Sequence, residues 1–286
     1  MSMTLISASE LSARLGDPDV RVFDLRHDLM DHAAGRRQYE QSHIAGARYL
    51  DNETELAAPR TGRNGRHPLP DRAALAALLA SHGVAPDTLV VAYDASGGQF
   101  AAHLWWMLRW LGHDRVAVLD GGWQAWSAAG LAVESGPGPR PAPVSAGAGA
   151  PLLREALTEP VDADTVLANI AQPSFTVLDA RAAARYRGEM EPIDPAAGHI
   201  PGALNRPNTD NLAADGRFKS PQELRKEFEA VLGKRAPGAI VHQCGSGITA
   251  SHNLLAMEVA GLQGSRLYPG SWSEWVSDPS RPQAKG

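Results

Sequence analysis

Short, continuous apolar runs alternate with longer amphipathic stretches along this chain. Four of the apolar runs end at an acidic residue or a cysteine, namely Asp24, Asp94, Asp179 and Cys244. Runs of this length favour strands that are buried on both faces of a parallel sheet. Apolar positions at helical spacing occur over residues 71–83, 99–111, 221–232 and 250–261. Strands that alternate with helices predict an α/β fold, in which helices cover both faces of a mostly parallel sheet.

The same order of sequence signals occurs twice. The four matched pairs are VFDLR at 22–26 with VLDAR at 177–181, HIAGA at 43–47 with HIPGA at 199–203, the strands that end at Asp94 and Cys244, and GGW at 121–123 with GSW at 270–272. The members of each pair lie 149 to 156 residues apart. Such a duplicated series predicts two copies of one fold. Because the histidines recur in both copies, we interpret them as structural.

The composition between the two copies predicts a linker over residues 136–151. This stretch holds four glycines and five prolines with few bulky apolar residues, so it cannot pack a core. We therefore expect a first domain over 1–135 and a second over 152–286.

Composition and charge narrow the class of protein. The 286 residues are 43% apolar and 21% charged, which is typical of a soluble globular protein. A net charge of -5 gives no reason to expect nucleic acid or a membrane surface as a partner. The chain also lacks a signal-peptide pattern at its start and any run of about 18 apolar residues. We expect a cytoplasmic protein that does not bind membranes.

Cys244, the single cysteine, is the candidate nucleophile. It ends a predicted strand, and Gly245, Ser246, Gly247, Ile248 and Thr249 lead from it into a helix. Open α/β sheets place ligand sites at this edge. The glycines let successive N–H groups point at an anion, and the following helix adds its positive end. We therefore expect the loop to stabilise an anionic sulfur and bind substrate; the alternative is a small side chain that fills a tight turn.

The corresponding position in the first copy is Asp94, which has no sulfur to carry. We expect the first domain to be non-catalytic, and Asp94 by itself also fits an ordinary turn or N-cap aspartate. One cysteine excludes an internal disulfide. The ten histidines lie in no close cluster with acids or cysteine, so we expect no metal and no cofactor.

The duplicated pattern, the HI(A/P)GA segments and the loop CGSGIT resemble the tandem rhodanese sulfurtransferases over about residues 5–280. The resemblance implies two rhodanese-like domains and sulfur transfer through a persulfide on Cys244. A loop of this type is similar to that of 3-mercaptopyruvate sulfurtransferases, whereas thiosulfate sulfurtransferases usually carry two cations after the cysteine. 3-Mercaptopyruvate is the expected donor, and thiosulfate is the alternative.

The resemblance also assigns roles to individual residues. It implies that Arg185 anchors the donor. It also implies that Ser246, His67 and Glu53 form a proton-transfer group, although aspartate is more usual than glutamate at the position of Glu53. Many members carry a second arginine shortly before GHIPGA. Residues 191–195 contain none, so this contact is absent or falls to Arg187 or another residue. With no cation expected beyond Arg185, the loop should favour a monoanionic donor.

Two other classes of protein compete with this interpretation. Phosphatases of this fold need an arginine six positions after the cysteine, and position 250 is alanine. A persulfide sensor or scaffold would perform one stoichiometric transfer rather than turn over. Without a second cysteine, the persulfide must pass to an outside acceptor such as cyanide, a small thiol or a thioredoxin-like protein.

Overall fold

The structure is a computed structural model that describes residues 3–143 and 149–286. The chain divides into two compact units, and neither is continuous in sequence. Unit 1 comprises Met1–Ala58, Leu69–Thr158 and Asp215–Arg217, and unit 2 comprises Pro59–Pro68, Glu159–Ala214 and Phe218–Gly286. The short segment 59–68 therefore belongs to unit 2, the unit that contains Cys244. Residues 144–148 of the predicted linker lie outside the described residues.

Unit 1 is built on a five-stranded parallel sheet in the order β1-β6-β5-β2-β4, with a separate antiparallel pair β3-β7. Its strands are β1 Leu5–Ile6, β2 Val20–Asp24, β3 His43–Ile44, β4 Arg48–Tyr49, β5 Leu89–Tyr93, β6 Val116–Leu119 and β7 Val133–Glu134. Its α-helices are α1 Ala8–Ser12, α2 Ala34–Gln41, α3 Arg72–Ser81, α4 Gln99–Trp110 and α5 Gly122–Ala128. A 3₁₀ helix covers Ala150–Leu152.

The residues of strand β5 show why helices pack on this sheet. All five of its residues are buried, and their side chains alternate between the two faces. Val91 and Tyr93 pack in a cluster with Leu11 of α1 and Trp126 of α5. Val90 directly precedes Val91 in sequence, so its side chain points to the opposite face of the sheet. Helix α4 packs against β5 and β6. Helices thus cover a parallel sheet, as the continuous apolar run predicts.

Unit 2 repeats this plan with a four-stranded parallel sheet in the order β11-β10-β8-β9. Its strands are β8 Thr176–Asp179, β9 Leu204–Asn205, β10 Ile240–Gln243 and β11 Arg266–Leu267. Its α-helices are α6 Ala163–Ala171, α7 Ala183–Tyr186, α8 Pro221–Leu232, α9 Ile248–Val259 and α10 Ser271–Trp275. Short 3₁₀ helices cover Asn208–Asn211 and Pro237–Ala239. The predicted α/β class, with mostly parallel sheets, is confirmed.

The repeated sequence signals form the same contacts in each unit. Asp24 receives a forked hydrogen bond from Arg26, and Asp179 receives the equivalent bond from Arg181. The Nδ1 atom of His43 lies 2.7 Å from a backbone carbonyl oxygen, and that of His199 lies 2.8 Å from another. Both histidines therefore have the structural contacts that their recurrence predicts.

The tryptophans of the second copy belong to the core of unit 2. Trp272 and Trp275 are fully buried and pack with Val177 of β8 and Val241 of β10. Among residues 3–143 and 149–286, no helix combines the length and the apolar character needed to cross a membrane.

We expect the buried His242 to make the stability of unit 2 sensitive to acid. It lies buried in β10, and within the described residues neither of its ring nitrogens has a hydrogen-bond partner. Burial lowers the pKa of His242 to about 3, from an ordinary value near ~6.5. The unfolded chain thus binds a proton that the folded chain excludes. Above pH ~6.5, the titration of His242 therefore does not change the free energy of unfolding. As the pH drops from there toward 3, that free energy falls by at most about 1.4 kcal/mol per pH unit.

We expect His242→Leu to remove this sensitivity. Between about pH 6.5 and 4.5, the free energy of unfolding of the native protein should fall by about 2 kcal/mol more than that of the variant. Urea unfolding at the two pH values measures the difference. Ile240→Val, which shortens a buried apolar side chain of the same strand and alters no titratable group, is the control and should keep the native pH dependence. Identical pH dependence in the native protein and His242→Leu would contradict the assignment.

Candidate active site

Cys244 directly follows β10, the strand between β8 and β11, and is 1% exposed. Its backbone is held by the turn that begins α10. The Cys244 N–H donates to Oγ of Ser271 over 3.1 Å, and its carbonyl accepts from the N–H of Trp272 over 3.0 Å. Among the described residues, Ser271 is the one non-glycine residue with positive φ, at 55°. A strained turn therefore fixes the start of the cysteine loop.

Two backbone N–H groups of the loop point at the sulfur. Ser246 N lies 3.4 Å and Gly247 N lies 3.1 Å from Sγ of Cys244. Gly247 has φ of 89°, and a Cβ there would lie 2.5 Å from the carbonyl oxygen of Pro269, so the curl requires glycine. Ile248 is buried at the first position of α9, and Thr249 follows it half-buried. The arrangement can stabilise negative charge on sulfur.

The matching loop of unit 1 is filled by its own carboxylate. Oδ1 of Asp94 accepts from the N–H groups of Ser96 and Gly98, and Oδ2 accepts from those of Phe100 and Ala101, over 2.7 to 3.0 Å. Burial raises the pKa of Asp94, and the four N–H groups oppose that shift. Asp94 therefore behaves as the ordinary turn aspartate of that alternative and also accepts from the first turn of α4, whose N-cap residue is Gly98. Both loops place an anion-forming side chain among backbone N–H groups, and only the second holds sulfur.

His67 and Ser246 lie together in unit 2, although 179 positions separate them. Nδ1 of His67 is 2.8 Å from Oγ of Ser246, and both residues are buried. Segment 59–68 is fixed there because the N–H of Arg66 donates to Oγ of Ser273 over 3.0 Å. Ser273 in turn donates its own N–H to the carbonyl of Gly245. A proton could therefore move between His67 and the hydroxyl beside the cysteine loop.

Glu53 lies in unit 1 beside two histidines. Its Oε1 is 3.6 Å from Nε2 of His27 and 3.8 Å from Nδ1 of His32. Among the described residues, these three form the one group of metal-ligand types whose donor atoms all lie within 4.8 Å. The sequence did not reveal this grouping, because the three positions follow no metal-site spacing. The role of Glu53 in proton transfer stays a prediction.

Arg185, in α7, is bound to two carboxylates. Its guanidinium donates to Glu191 over 3.1 and 2.6 Å and to Asp194 over 3.1 Å. Burial raises the pKa of Glu191, but the hydrogen bond and positive charge of Arg185, together with the N–H groups of Asp194 and Ile193, outweigh burial and lower that pKa overall. Burial raises the pKa of Asp194 despite the nearby arginines. Arg187, the other candidate anchor, pairs with Glu189 at the surface.

Arg66 was missed by the sequence analysis. It pairs with Asp194, and its Nη2 lies 2.7 Å from where a Cβ of Gly245 would be. Nη1 of Arg185 lies 3.6 Å from the same point. The expectation of no cation beyond Arg185 is therefore wrong. The available signal was its position beside His67, because the resemblance already groups His67 with Ser246 of the cysteine loop.

Comparisons with known proteins find one domain family in both halves of the chain. The Rhodanese-like domain matches twice, over residues 7–129 and 162–278. The chain is 50% identical over 292 residues to a Pseudomonas aeruginosa protein named "Probable 3-mercaptopyruvate sulfurtransferase", covering all of this chain and 99% of that protein. It is 34% identical over 283 residues to the thiosulfate sulfurtransferase of Bos taurus, covering 96% of this chain and 91% of the relative.

A solved structure shows the same similarity. The 3-mercaptopyruvate sulfurtransferase from Leishmania major has a TM-score of 0.83 and 32% identity to this chain, covering 98% of this chain and 76% of that protein.

Proposed function

This chain belongs to the rhodanese family, and from that premise we propose that it moves a sulfur atom from 3-mercaptopyruvate to a thiol or cyanide acceptor through a persulfide on Cys244. The full-length relative at 50% identity carries the name of this activity. The observation that carries the proposal is the buried Sγ of Cys244, which faces the N–H groups of Ser246 and Gly247 at the carboxyl end of β10. It is the single thiol of the chain.

The first half of the cycle forms the persulfide. The Cys244 thiolate attacks the sulfur of 3-mercaptopyruvate, and a sulfur–sulfur bond forms while the donor's carbon–sulfur bond breaks. The electron pair of the broken bond passes to carbon and gives the enolate of pyruvate, which a proton then converts to pyruvate. Loop N–H groups stabilise the anionic sulfur, and His67 supplies the proton through Ser246.

The second half returns the thiolate. The acceptor attacks the outer sulfur, the sulfur–sulfur bond breaks, and its electron pair returns to Cys244; cyanide leaves as thiocyanate. Because this chain has no second cysteine, no internal disulfide can release the sulfur. We propose that a reduced thioredoxin-like protein is among the thiol acceptors and that the protein is cytoplasmic. Donor and acceptor therefore react in alternation, and the kinetics should be ping-pong.

Comparing two donors with cyanide as acceptor tests the proposal. We expect kcat/KM to be at least about tenfold higher with 3-mercaptopyruvate than with thiosulfate, since two arginines facing two carboxylates leave little net charge for a dianion. Thiocyanate formation measures turnover with both donors. Higher efficiency with thiosulfate would favour the alternative donor, and a single stoichiometric transfer would favour a sensor.

A further inference from the structure

We propose that His27, His32 and Glu53 of unit 1 bind one zinc ion or a chemically similar divalent transition metal. The proposal replaces the sequence-based expectation of no metal, and it does not depend on sulfur transfer. Imidazole nitrogens suit such ions, and two histidines with one carboxylate form a set of ligands that zinc accepts. Three side chains hold the ion, and a fourth position stays open to water.

The separations between the three donor atoms match those around a shared ion. Oε1 of Glu53 lies 3.6 Å from Nε2 of His27 and 3.8 Å from Nδ1 of His32, and all three atoms lie within 4.8 Å of one another. Both separations exceed the ~3.2 Å limit of a good N–H···O hydrogen bond. Ligand atoms about 2.0 to 2.2 Å from a tetrahedral zinc ion lie roughly 3.3 to 3.6 Å apart. Small side-chain rotations therefore bring all three atoms to one ion.

A short turn brings the two histidines together. His27 follows β2 at the carboxyl end of the sheet of unit 1. Oδ1 of Asp28 then accepts from the N–H of Met30 over 2.8 Å and from that of Asp31 over 3.3 Å. An aspartate that binds the backbone in this way reverses the chain. His32 thus returns to the side of His27, and their ring centroids lie 5.7 Å apart.

A second turn fixes Glu53 beside them. Oδ1 of Asp51 accepts from the N–H of Glu53 over 2.8 Å. Nδ2 of Asn52 donates to the carbonyl of Leu25 over 3.3 Å, and Leu25 lies two residues before His27. The two segments that carry the ligands are therefore joined through the backbone. The ligands do not depend on the ion for their positions.

Burial of the site favours ion binding and still leaves an entry path. The His27 side chain is fully buried, and its ring packs edge-on against that of Phe100 with centroids 5.1 Å apart. The Glu53 side chain is 14% exposed, whereas that of His32 is 59% exposed. An apolar surround strengthens the attraction between a cation and its ligands. The ion therefore enters from the side of His32.

The repeat shows that the shared fold does not require these residue types. Counted from the matched VFDLR and VLDAR segments, the counterpart of His27 in unit 2 is Ala182. Counted from the matched HIAGA and HIPGA segments, the counterpart of Glu53 is Thr209. Unit 2 forms the same edge of a parallel sheet without a histidine or a carboxylate at these positions. The histidine and the carboxylate are therefore specific to unit 1.

Zinc binding to the native protein, measured in competition with a chromophoric chelator, tests the proposal. His32→Gln should weaken binding at least about a hundredfold, since changes outside the ligand shell alone typically cost about tenfold to a hundredfold. The exposure of His32 makes this variant safe for folding. Glu53→Gln should weaken binding in the same way. Glu55→Gln is the matched control, because glutamine can still accept from the N–H of Asp51 as Glu55 does. Equal affinities in the native protein and His32→Gln would overturn the proposal.

Cobalt in place of zinc distinguishes this site from the thiolate of Cys244. Co²⁺ bound by nitrogen and oxygen should give visible d–d absorption without a near-ultraviolet thiolate-to-metal band. The spectrum should persist in Cys244→Ser and disappear in His32→Gln. A thiolate band that is lost together with the d–d absorption in Cys244→Ser would place the metal on the cysteine and overturn the proposal. These measurements require no turnover, so a failure of sulfur transfer would refute the proposed function alone.

Discussion

Replacing Cys244 with serine is expected to abolish sulfur transfer and leave the fold intact. A hydroxyl is similar in size to a thiol and can accept the same N–H groups of Ser246 and Gly247, but it cannot carry sulfur. Thiocyanate formation from 3-mercaptopyruvate and cyanide measures the loss, and mass spectrometry of the donor-treated native protein should show one added sulfur atom. Thermal unfolding checks that the variant is folded.

Asp94→Asn is the matched control, because Asp94 occupies the corresponding loop of unit 1. It should lower stability, since the amide nitrogen of asparagine cannot accept from the N–H groups of Phe100 and Ala101. Sulfur transfer should persist wherever that variant is folded. Turnover by Cys244→Ser above about a tenth of the native rate would rule out the persulfide mechanism.

Replacing His67 with glutamine should separate the two donors. With 3-mercaptopyruvate, the departing enolate needs a proton, and loss of a positioned acid typically costs about a hundredfold to ten-thousandfold in rate. With thiosulfate, sulfite leaves as a stable anion and needs no proton. We therefore expect kcat with 3-mercaptopyruvate to fall at least about a hundredfold while thiosulfate turnover stays within about threefold of the native value.

Ser246→Ala tests the relay that the 2.8 Å contact with His67 suggests, and it should share the same donor dependence. His199→Gln is the control within unit 2, because Nδ1 of His199 binds the carbonyl of Tyr186 in a purely structural contact. It should reduce stability without separating the donors. Equal loss with both donors in His67→Gln would mean that the histidine only shapes the site.

Local patterns were sufficient to predict much of this molecule. The burial of a strand and the amphipathic character of a helix follow from the order of neighbouring residues, so periodicity predicted the α/β class. The matched motifs and their spacing predicted the repeat. The position of Cys244 followed too, because a cysteine at the end of a buried strand, before glycines and a helix, has a predictable backbone setting. The resemblance to tandem rhodanese sulfurtransferases is confirmed by the two domain matches and the full-length relative.

The tertiary structure decided how distant segments meet. Residues 59–68 belong to unit 2, and this alone brings His67 to Ser246 and Arg66 to Asp194. No periodicity encodes such meetings, because they depend on side chains from separate segments filling the same space. The sequence also did not show that His242 is buried in β10 with no hydrogen-bond partner for its ring nitrogens among the described residues. Sequence therefore determined the strands, the helices and the position of Cys244, whereas packing between remote segments determined which charged and hydrogen-bonding side chains lie beside its loop.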